Sequence, residues 1–402
     1  WDPKERSLMA YKTIDRYQII EGLGKGTSGT VFLAQDPKMG RDVAIKILQE
    51  EFARDPKHRE RFAREAKAIA ALSHPNIVDI YDFGGSEAQY LYLVMELIPG
   101  PHIGKHIQEN APVLESTLVA IGLELSRALR HAHEMEIIHR DLKPDNVFLH
   151  RGRLVLADFG IAKAITEHSP LGPNAANITE IIGTPGFMAP EQLQGQPLDE
   201  KADIFAFGAL LYYLATQNLP FDAETPYHLL NSMRETRPTP VNELRPEISQ
   251  RFSTLIQECI SCDKNMRPES MKTIHERLSV NLRHLGGGDS RKHLADFELN
   301  PSEYRRDALD KTIKHLIDQL KIAVRDSDPK FAKILERRLG NLAPENNEIR
   351  RMTDVSRLLS GAQDETPELA YANYKKKRRL LRIGITVVGA LAFLLWLQYA
   401  GS

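Results

Sequence analysis

The chain has 402 residues, 42% of them hydrophobic and 27% charged, which suits a two-lobed globular unit with something further attached. A formal net charge of -1 excludes the whole-chain electrostatic footprint of a nucleic-acid binder. With only two cysteines, Cys259 and Cys262, a disulfide framework is excluded and a reducing cytoplasm is the natural compartment.

Residues 1–16 precede the first regular pattern, and Tyr17 to Leu23 then reads as a strand. It runs into Gly24-Lys25-Gly26-Thr27-Ser28-Gly29-Thr30-Val31. Glycine is needed where backbone must approach phosphates and take dihedrals that a Cβ forbids, although glycine-rich hairpins also arise from turn geometry alone. A strand, Val31 to Gln35, comes next rather than a helix. This argues against a dinucleotide-binding βαβ unit and for a flap closing over ATP. Val43-Ala44-Ile45-Lys46 ends an apolar run in a cation at the spacing a phosphate-binding lysine needs. Lys57 to Leu72 predicts a helix with Phe62, Ala66, Ile69 and Ala70 on one face, from which Glu65 can project toward Lys46. Motif register singles out Glu65, since a glutamate on so charged a helix is more often solvated. Ser73-His74-Pro75-Asn76 ends the helix, and strands at Ile77 to Phe83 and Tyr90 to Glu96 complete a small sheet.

Leu114 to Ala132 predicts an amphipathic helix, with His131 and His133 near its end in buried or capping roles. The densest signal follows: His139-Arg140-Asp141-Leu142-Lys143-Pro144-Asp145-Asn146, and then Asp158-Phe159-Gly160. Phosphoryl transfer needs a carboxylate to accept a hydroxyl proton, two oxygen-bearing side chains to hold Mg²⁺ on the phosphates, and a lysine against the transferring charge. These residues supply all of them. Between Asp158 and Glu191 the chain is predicted to be a long loop, broken by Pro170, Gly172, Pro173 and Asn174. Thr166, Ser169 and Thr179 lie on it as candidate phosphorylation sites, Thr179 first. A phosphate there could pair with Arg140 and order the segment, whereas the plainer reading makes these hydroxyls loop solubilisers. Asp203-Ile204-Phe205-Ala206-Phe207-Gly208 opens an apolar helix reaching Ala215. The C-x-x-C spacing of Cys259 and Cys262 has neither two further zinc ligands at suitable spacing nor a thioredoxin-like context, so both cysteines are expected to pack in a helix.

Gly286-Gly287-Gly288-Asp289-Ser290 reads as a flexible break, and Pro301 to Met352 as helical. Leu309, Ile313, Leu316, Leu320 and Val324 form one stripe, and Phe331, Ile334, Leu335 and Leu339 another. They are expected to pack on each other or on the catalytic domain; a homodimer through a short parallel coil is the alternative. Gln363 to Pro367 reads as linker. Six basic residues stand between Lys375 and Arg382, and no charged residue between Ile383 and Ser402. Twenty helical residues span about 30 Å, the thickness of a bilayer's hydrocarbon. The basic flank predicts a cytoplasmic side and anionic lipid as its partner, with Trp396 and Tyr399 at the far interface. A buried core helix, a nuclear signal or a nucleic-acid patch explains the pairing of basic and apolar runs less well. On this reading the chain is either tail-anchored or a piece of a longer protein with a domain across the membrane. Trp1 in place of an opening Met points to trimming, and no secretory signal stands at that end.

On these motifs, residues from about Tyr17 to about Leu282 resemble a eukaryotic-type serine/threonine protein kinase domain. The resemblance implies an α+β, two-lobed fold with a small β-rich lobe and a larger helical one, and ATP and Mg²⁺ as cofactors. It makes Asp141 the catalytic base, Lys143 the γ-phosphate contact, Asn146 and Asp158 the metal ligands, and Lys46 with Glu65 the phosphate clamp. It places Leu23, Gly24, Lys25, Gly26 and Gly29 over the nucleotide, Met95 as gatekeeper, Glu96 to Ile98 as the hinge, and Val31, Ala44 and Phe148 around adenine. Gly183-Thr184-Pro185-Gly186-Phe187-Met188-Ala189-Pro190-Glu191 resembles the segment that seats a peptide, which implies protein substrates bearing Ser or Thr. Thr184 resembles the residue that bonds the catalytic Asp and Lys, and Phe187 departs from the more usual Tyr. Asp203 resembles the anchor of the catalytic loop, and Glu191 with Arg267 the ion pair of the large lobe. A pseudokinase scaffold is the alternative, against which Lys46, Asp141, Asn146 and Asp158 all stand intact. The layout is similar to bacterial transmembrane kinases and predicts a single-pass cell-membrane protein with its kinase domain in the cytoplasm. Its parts are an extension (1–16), the kinase domain (17–282), a linker (283–300), a helical juxtamembrane segment (301–360), a linker with the basic run (361–382) and the membrane helix (383–402).

Overall fold

The computed structural model describes residues 12–26, 28–85, 87–166, 185–326 and 328–344. It divides into two units, Trp1–Leu316 and Ile317–Ser402. The first unit opens on an antiparallel sheet of β1 (Thr13–Ile14), β2 (Tyr17–Gly26), β3 (Gly29–Asp36), β4 (Arg41–Leu48), β5 (Ile80–Phe83) and β6 (Tyr92–Glu96), in the order β1-β2-β3-β4-β6-β5. Side chains alternate across a strand, and β4 shows the consequence. Val43, Ile45 and Ile47 join one apolar cluster with Tyr17, Phe32 and Val94, while Ala44 and Leu48 join the other with Phe62, Leu93 and Met95. Lys46 shares the parity of Ala44 and Leu48.

After the short α1 (Glu50–Arg54), helix α2 (Pro56–Ala70) starts where the Asp55 carboxylate accepts from the Lys57 amide and Pro56 presets the first turn. It buries Phe62, Ala66 and Ile69, one i, i+4, i+7 stripe. Asn76, just beyond it, donates from Nδ2 to the Leu154 carbonyl at 2.7 Å and so ties the small lobe to the large one.

The large lobe is helical because its segments carry either one apolar stripe or apolar residues all round. It contains α3 (Ile103–Glu109), α4 (Glu115–Glu134), the hairpin β7 (Val147–His150) and β8 (Arg153–Leu156), α5 (Ile161–Thr166), α6 (Pro190–Leu193), α7 (Glu200–Thr216), α8 (Pro226–Glu235), α9 (Val241–Leu244), α10 (Gln250–Cys259) and α11 (Met271–His284). Helix α7 is the all-apolar case: Phe205 and Phe207 are fully buried, each a contribution of about 1.5–3 kcal/mol. The buried Arg267 guanidinium meets both Glu191 oxygens, at 2.6 and 2.9 Å, and pins α6 beneath the lobe. Cys259 is buried among apolar groups, which push its thiol up to about 12, and the Cys262 thiol bonds the Met233 carbonyl. Among the described residues no group of His, Cys, Asp and Glu could hold a metal ion as a cluster of three or more.

Two expectations change here. The stretch 283–300, predicted as a linker, contains helix α12 (Ser290–Leu299), which buries Leu294 and Phe297 against the core. Its preceding glycines all have positive φ, and the Gly287 amide bonds the Leu282 carbonyl, so the glycine run makes a compact turn. The segment after Asp158 likewise opens with α5 rather than loop, while Pro170, Gly172, Pro173 and Asn174 lie outside the described residues.

Helix α13 (Pro301–Arg325) begins in the first unit, where Tyr304 bonds Ser116 at 3.2 Å and Thr312 bonds the Leu285 carbonyl. In the second unit, Asp328 caps α14 (Pro329–Leu342) through the Phe331 amide, and Leu320, Ala323, Ala332, Leu335 and Leu339 are buried. Among the described residues no helix is long and apolar enough to cross a membrane. The basic run 375–382, the apolar segment 383–402 and the rest of the segment from 345 lie outside the described residues.

Candidate active site

The site is built on a buried carboxylate. Asp203, at the start of α7, is 1% exposed and accepts from the amides of His139 (2.8 Å) and Arg140 (3.0 Å) and from His133 Nε2 (2.8 Å). Burial alone would raise its pKa; the hydrogen bond and charge of His133 outweigh that and hold it below the usual carboxylate range. These bonds fix Arg140 in the left-handed region, φ 65°, a conformation that costs about 1–3 kcal/mol unless the surroundings enforce it. Gln192 of α6 adds a donor to the Arg140 carbonyl at 2.7 Å. His139 is fully buried and kept neutral by that burial. Its Nδ1 faces the Asp141 amide and its Nε2 the Ala157 carbonyl, which sets the tautomer with the proton on Nε2.

On this frame sit the residues singled out in the sequence. Asn146, on a short turn at the head of β7, donates from Nδ2 to the Asp141 carbonyl (2.7 Å) and to Asp141 Oδ2 (3.1 Å). Lys143 Nζ lies 3.2 Å from the same oxygen. Asp158 is also left-handed, φ 59°, and its carboxylate pairs with Lys46. Phe159 packs on the His139 ring, centroids 4.5 Å apart. Lys46, Asp141 and Asp158 line one cavity between the lobes. Ala44 pairs with Met95 and Val43 with Glu96 across β4 and β6, while Phe148 of β7 is bridged to His102. Leu23 is exposed, Val31, Ile98 and Phe148 are half-buried, and Ala44 is buried.

Three features differ from expectation. Glu65 does not meet Lys46: its carboxylate lies 3.0 Å from Arg64 and 3.7 Å from Arg140. Helix α5 lies against α2, where Arg61 donates to the Ile165 carbonyl at 2.9 Å, and Ile161, Ala162 and Lys163 line the cavity beside Asp141. Lys163 Nζ sits 2.5 Å from Asp141 Oδ1. Burial alone would raise the Asp141 pKa, but Lys163 and Lys143 outweigh it and hold it low. The third concerns the glycines. Gly24 and Gly26 have ordinary φ, and a Cβ on Gly24 would meet nothing; Gly29 is the position required by packing, since its Cβ would stand 2.1 Å from the Ile47 carbonyl oxygen. Lys25 is exposed on the same turn.

Sequence reasoning missed Lys163 and Gln192, which carry no local motif and acquire a role only through their distance from Asp141 and Arg140. Of the candidate phosphorylation sites, Thr166 closes α5, and Ser169 and Thr179 lie outside the described residues, as does Thr184.

The donors available to a divalent cation are the Asp158 carboxylate and the oxygen of an Asn146 amide whose nitrogen is committed to Asp141, an all-oxygen set that suits Mg²⁺. Open space above Gly24 leaves room for a close approach to backbone.

The family described as protein kinase domain matches residues 17–278. PrkC, a serine/threonine-protein kinase of Bacillus subtilis, is 33% identical over 274 residues, covering 68% of this chain and 41% of PrkC. A probable serine/threonine-protein kinase PknB of Lactococcus lactis is 38% identical over 252 residues, covering 62% and 39%. The crystal structure of the PknI kinase domain of Mycobacterium tuberculosis aligns with TM-score 0.52 at 27% identity, covering 66% of this chain and 96% of that one. The chain thus spans about two fifths of the length of these two curated relatives.

Proposed function

Because this chain belongs to the protein kinase family, we propose that it is a serine/threonine protein kinase that moves the γ-phosphoryl group of ATP to hydroxyls of protein substrates. The observation that carries the reading is the convergence of Asp141, Asn146, Lys143, Lys46 and Asp158 on one cleft. Asp141 takes the proton of the attacking Ser or Thr hydroxyl as its oxygen bonds to phosphorus and the bond to the β-phosphate oxygen breaks, leaving ADP. Lys143 stands beside that carboxylate to meet charge on the transferring group. Asn146 and Asp158 would hold Mg²⁺, which supplies charge neutralisation on the phosphates. Leu23, Val31, Ala44, Met95 and Phe148 would enclose adenine, the Glu96–Ile98 backbone would read its edge, and Gly24, Lys25, Gly26 and Gly29 would cover the phosphates.

The arrangement described is a resting one. Lys46 must exchange Asp158 for the phosphates and Glu65, and Lys163 must leave Asp141. Phosphorylation at Thr179, with Thr166 or Ser169 secondary, would favour the exchange by drawing Arg140 from Glu65 to a phosphate, through charge-assisted bonds of about 1.5–3 kcal/mol. Transfer of radiolabelled phosphate to casein, followed by phosphoamino-acid analysis, should give Mg²⁺-dependent phosphoserine and phosphothreonine. Phosphotyrosine alone, or no label, would refute the assignment.

The apolar run 383–402 behind six basic residues supports a single membrane span with the kinase on the cytoplasmic side, its basic flank on anionic lipid. Expressed in cells, the full chain should resist alkaline extraction from membranes, and a chain cut at residue 382 should not. Equal extraction of both would remove the anchor.

A further inference from the structure

Helix α12 lies beyond the residues matched by the kinase family, yet it grips the hairpin that carries the floor of the cleft. Its own seat is firm. The fully buried Glu124 of α4 accepts from Ser290 Oγ at 2.5 Å and pairs with Arg291 and Arg127, and Leu294 and Phe297 are buried below. From this seat Glu298 Oε2 accepts the Gly152 amide at 2.7 Å. Gly152 turns the β7–β8 hairpin at φ +73°, and the Ala295 methyl lies 2.6 Å from where its Cβ would stand, so α12 fits this turn against bare backbone.

The next residue is Arg153. Its guanidinium is used three ways: both ends of the fork meet the Glu96 carboxylate, at 2.5 and 3.0 Å, and Nε donates to the Pro75 carbonyl at 2.6 Å. Glu96 ends β6 at the crossing between lobes, and Pro75 lies in the loop after α2. A planar five-donor fork can hold two partners in fixed relation, which a lysine cannot. Phe148, on the same hairpin, pairs with Val155.

We propose that α12 is a strut for the nucleotide site: Glu298 and Ala295 fix the hairpin turn, the turn aims Arg153, and Arg153 holds the hinge and the loop after α2 in the relation that accepts adenine. Glu298 and Arg153 are therefore positioning residues for ATP, and the segment following the catalytic domain has a direct hold on nucleotide affinity. This rests on the kinase reading, in which Glu96 to Ile98 form the hinge.

The test is binding of trinitrophenyl-ATP to the full chain, with thermal unfolding measured on each variant. Glu298→Ala should weaken binding by about three- to tenfold, within the roughly two- to thirtyfold span of couplings carried through packed networks. Glu298→Gln, which retains an acceptor for the Gly152 amide, should bind as the wild type does. Arg153→Ala should weaken binding at least as much as Glu298→Ala. Arg153→Lys should not rescue it, and the double variant Arg153→Ala/Glu298→Ala should bind no worse than Arg153→Ala. Wild-type affinity in Glu298→Ala or Arg153→Ala, or losses that multiply in the double variant, would overturn the strut. Should Glu298→Ala fail to fold, the Arg153→Lys result decides in its place. Failure of the underlying kinase reading is separate, because it shows as absent phosphoryl transfer in a chain whose nucleotide affinity can still be measured.

Discussion

Replacing Lys163 with alanine is expected to raise basal phosphoryl transfer by about tenfold, and the reason is a competition for Asp141. Lys163 Nζ lies 2.5 Å from Oδ1 of Asp141, the carboxylate proposed above to take the substrate's proton. A carboxylate held low in pKa by adjoining ammonium groups is a poor base, and one blocked by a side chain admits no hydroxyl. A buried charge-assisted bond contributes about 1.5–3 kcal/mol, so its loss could shift the balance toward the open arrangement by about ten- to a hundredfold. The lower figure is expected because other contacts of the same arrangement survive the substitution: Arg61 on the Ile165 carbonyl, Glu65 beside Arg140, and Lys46 on Asp158. Lys163→Arg keeps the charge and should stay near the wild-type rate. The check is the initial rate of casein labelling at saturating ATP before any activation-segment phosphorylation; a rate in Lys163→Ala at or below that of the wild type would show that Lys163 does not restrain the enzyme.

The contact of Lys163 with Asp141 was not legible in the sequence, and the reason is physical. Lys46, Glu65, Asp141, Asn146 and Asp158 could be placed in one site because each occupies a fixed offset within a short motif. Which of two acidic partners Lys46 takes is different in kind: motif offsets admit both Asp158 and Glu65, and only the tertiary packing decides, here for Asp158. Helix α5 escaped notice for a related reason. Its six residues are too few for a 3.6-residue period to show, and the helix gains its stability from packing on α2. Helix α12 could have been found. Asp289 caps it through the Arg291 and Lys292 amides, ahead of Leu294 and Phe297 three residues apart, but the three glycines before it read as a break. The strands fared better, because β4 alternates between two apolar clusters and sequence parity alone assigns its faces. Gly24 and Gly26 were singled out for dihedrals they do not adopt, and the open space beside Gly24 is what distinguishes that turn.

The largest loss should come from Asp141→Asn, a substitution that keeps the side chain's shape and removes its negative charge, and with that charge its capacity to take a proton. The frame beneath it is undisturbed, since Asp203 holds the His139 and Arg140 amides and Gln192 the Arg140 carbonyl without help from the Asp141 carboxylate. Asn146 would still find an oxygen at that position, while Lys143 and Lys163 would each lose an ion pair with it. A general base contributes about a hundred- to ten-thousandfold to such a step, so the variant should fold and bind nucleotide normally yet transfer at least a hundredfold more slowly. Radiolabelled phosphate incorporated from ATP by the full chain and by Asp141→Asn, side by side in Mg²⁺, is therefore the measurement that bears most directly on the enzyme proposed here. A near-silent variant beside an active parent is the predicted result, and equal incorporation by the two would contradict it.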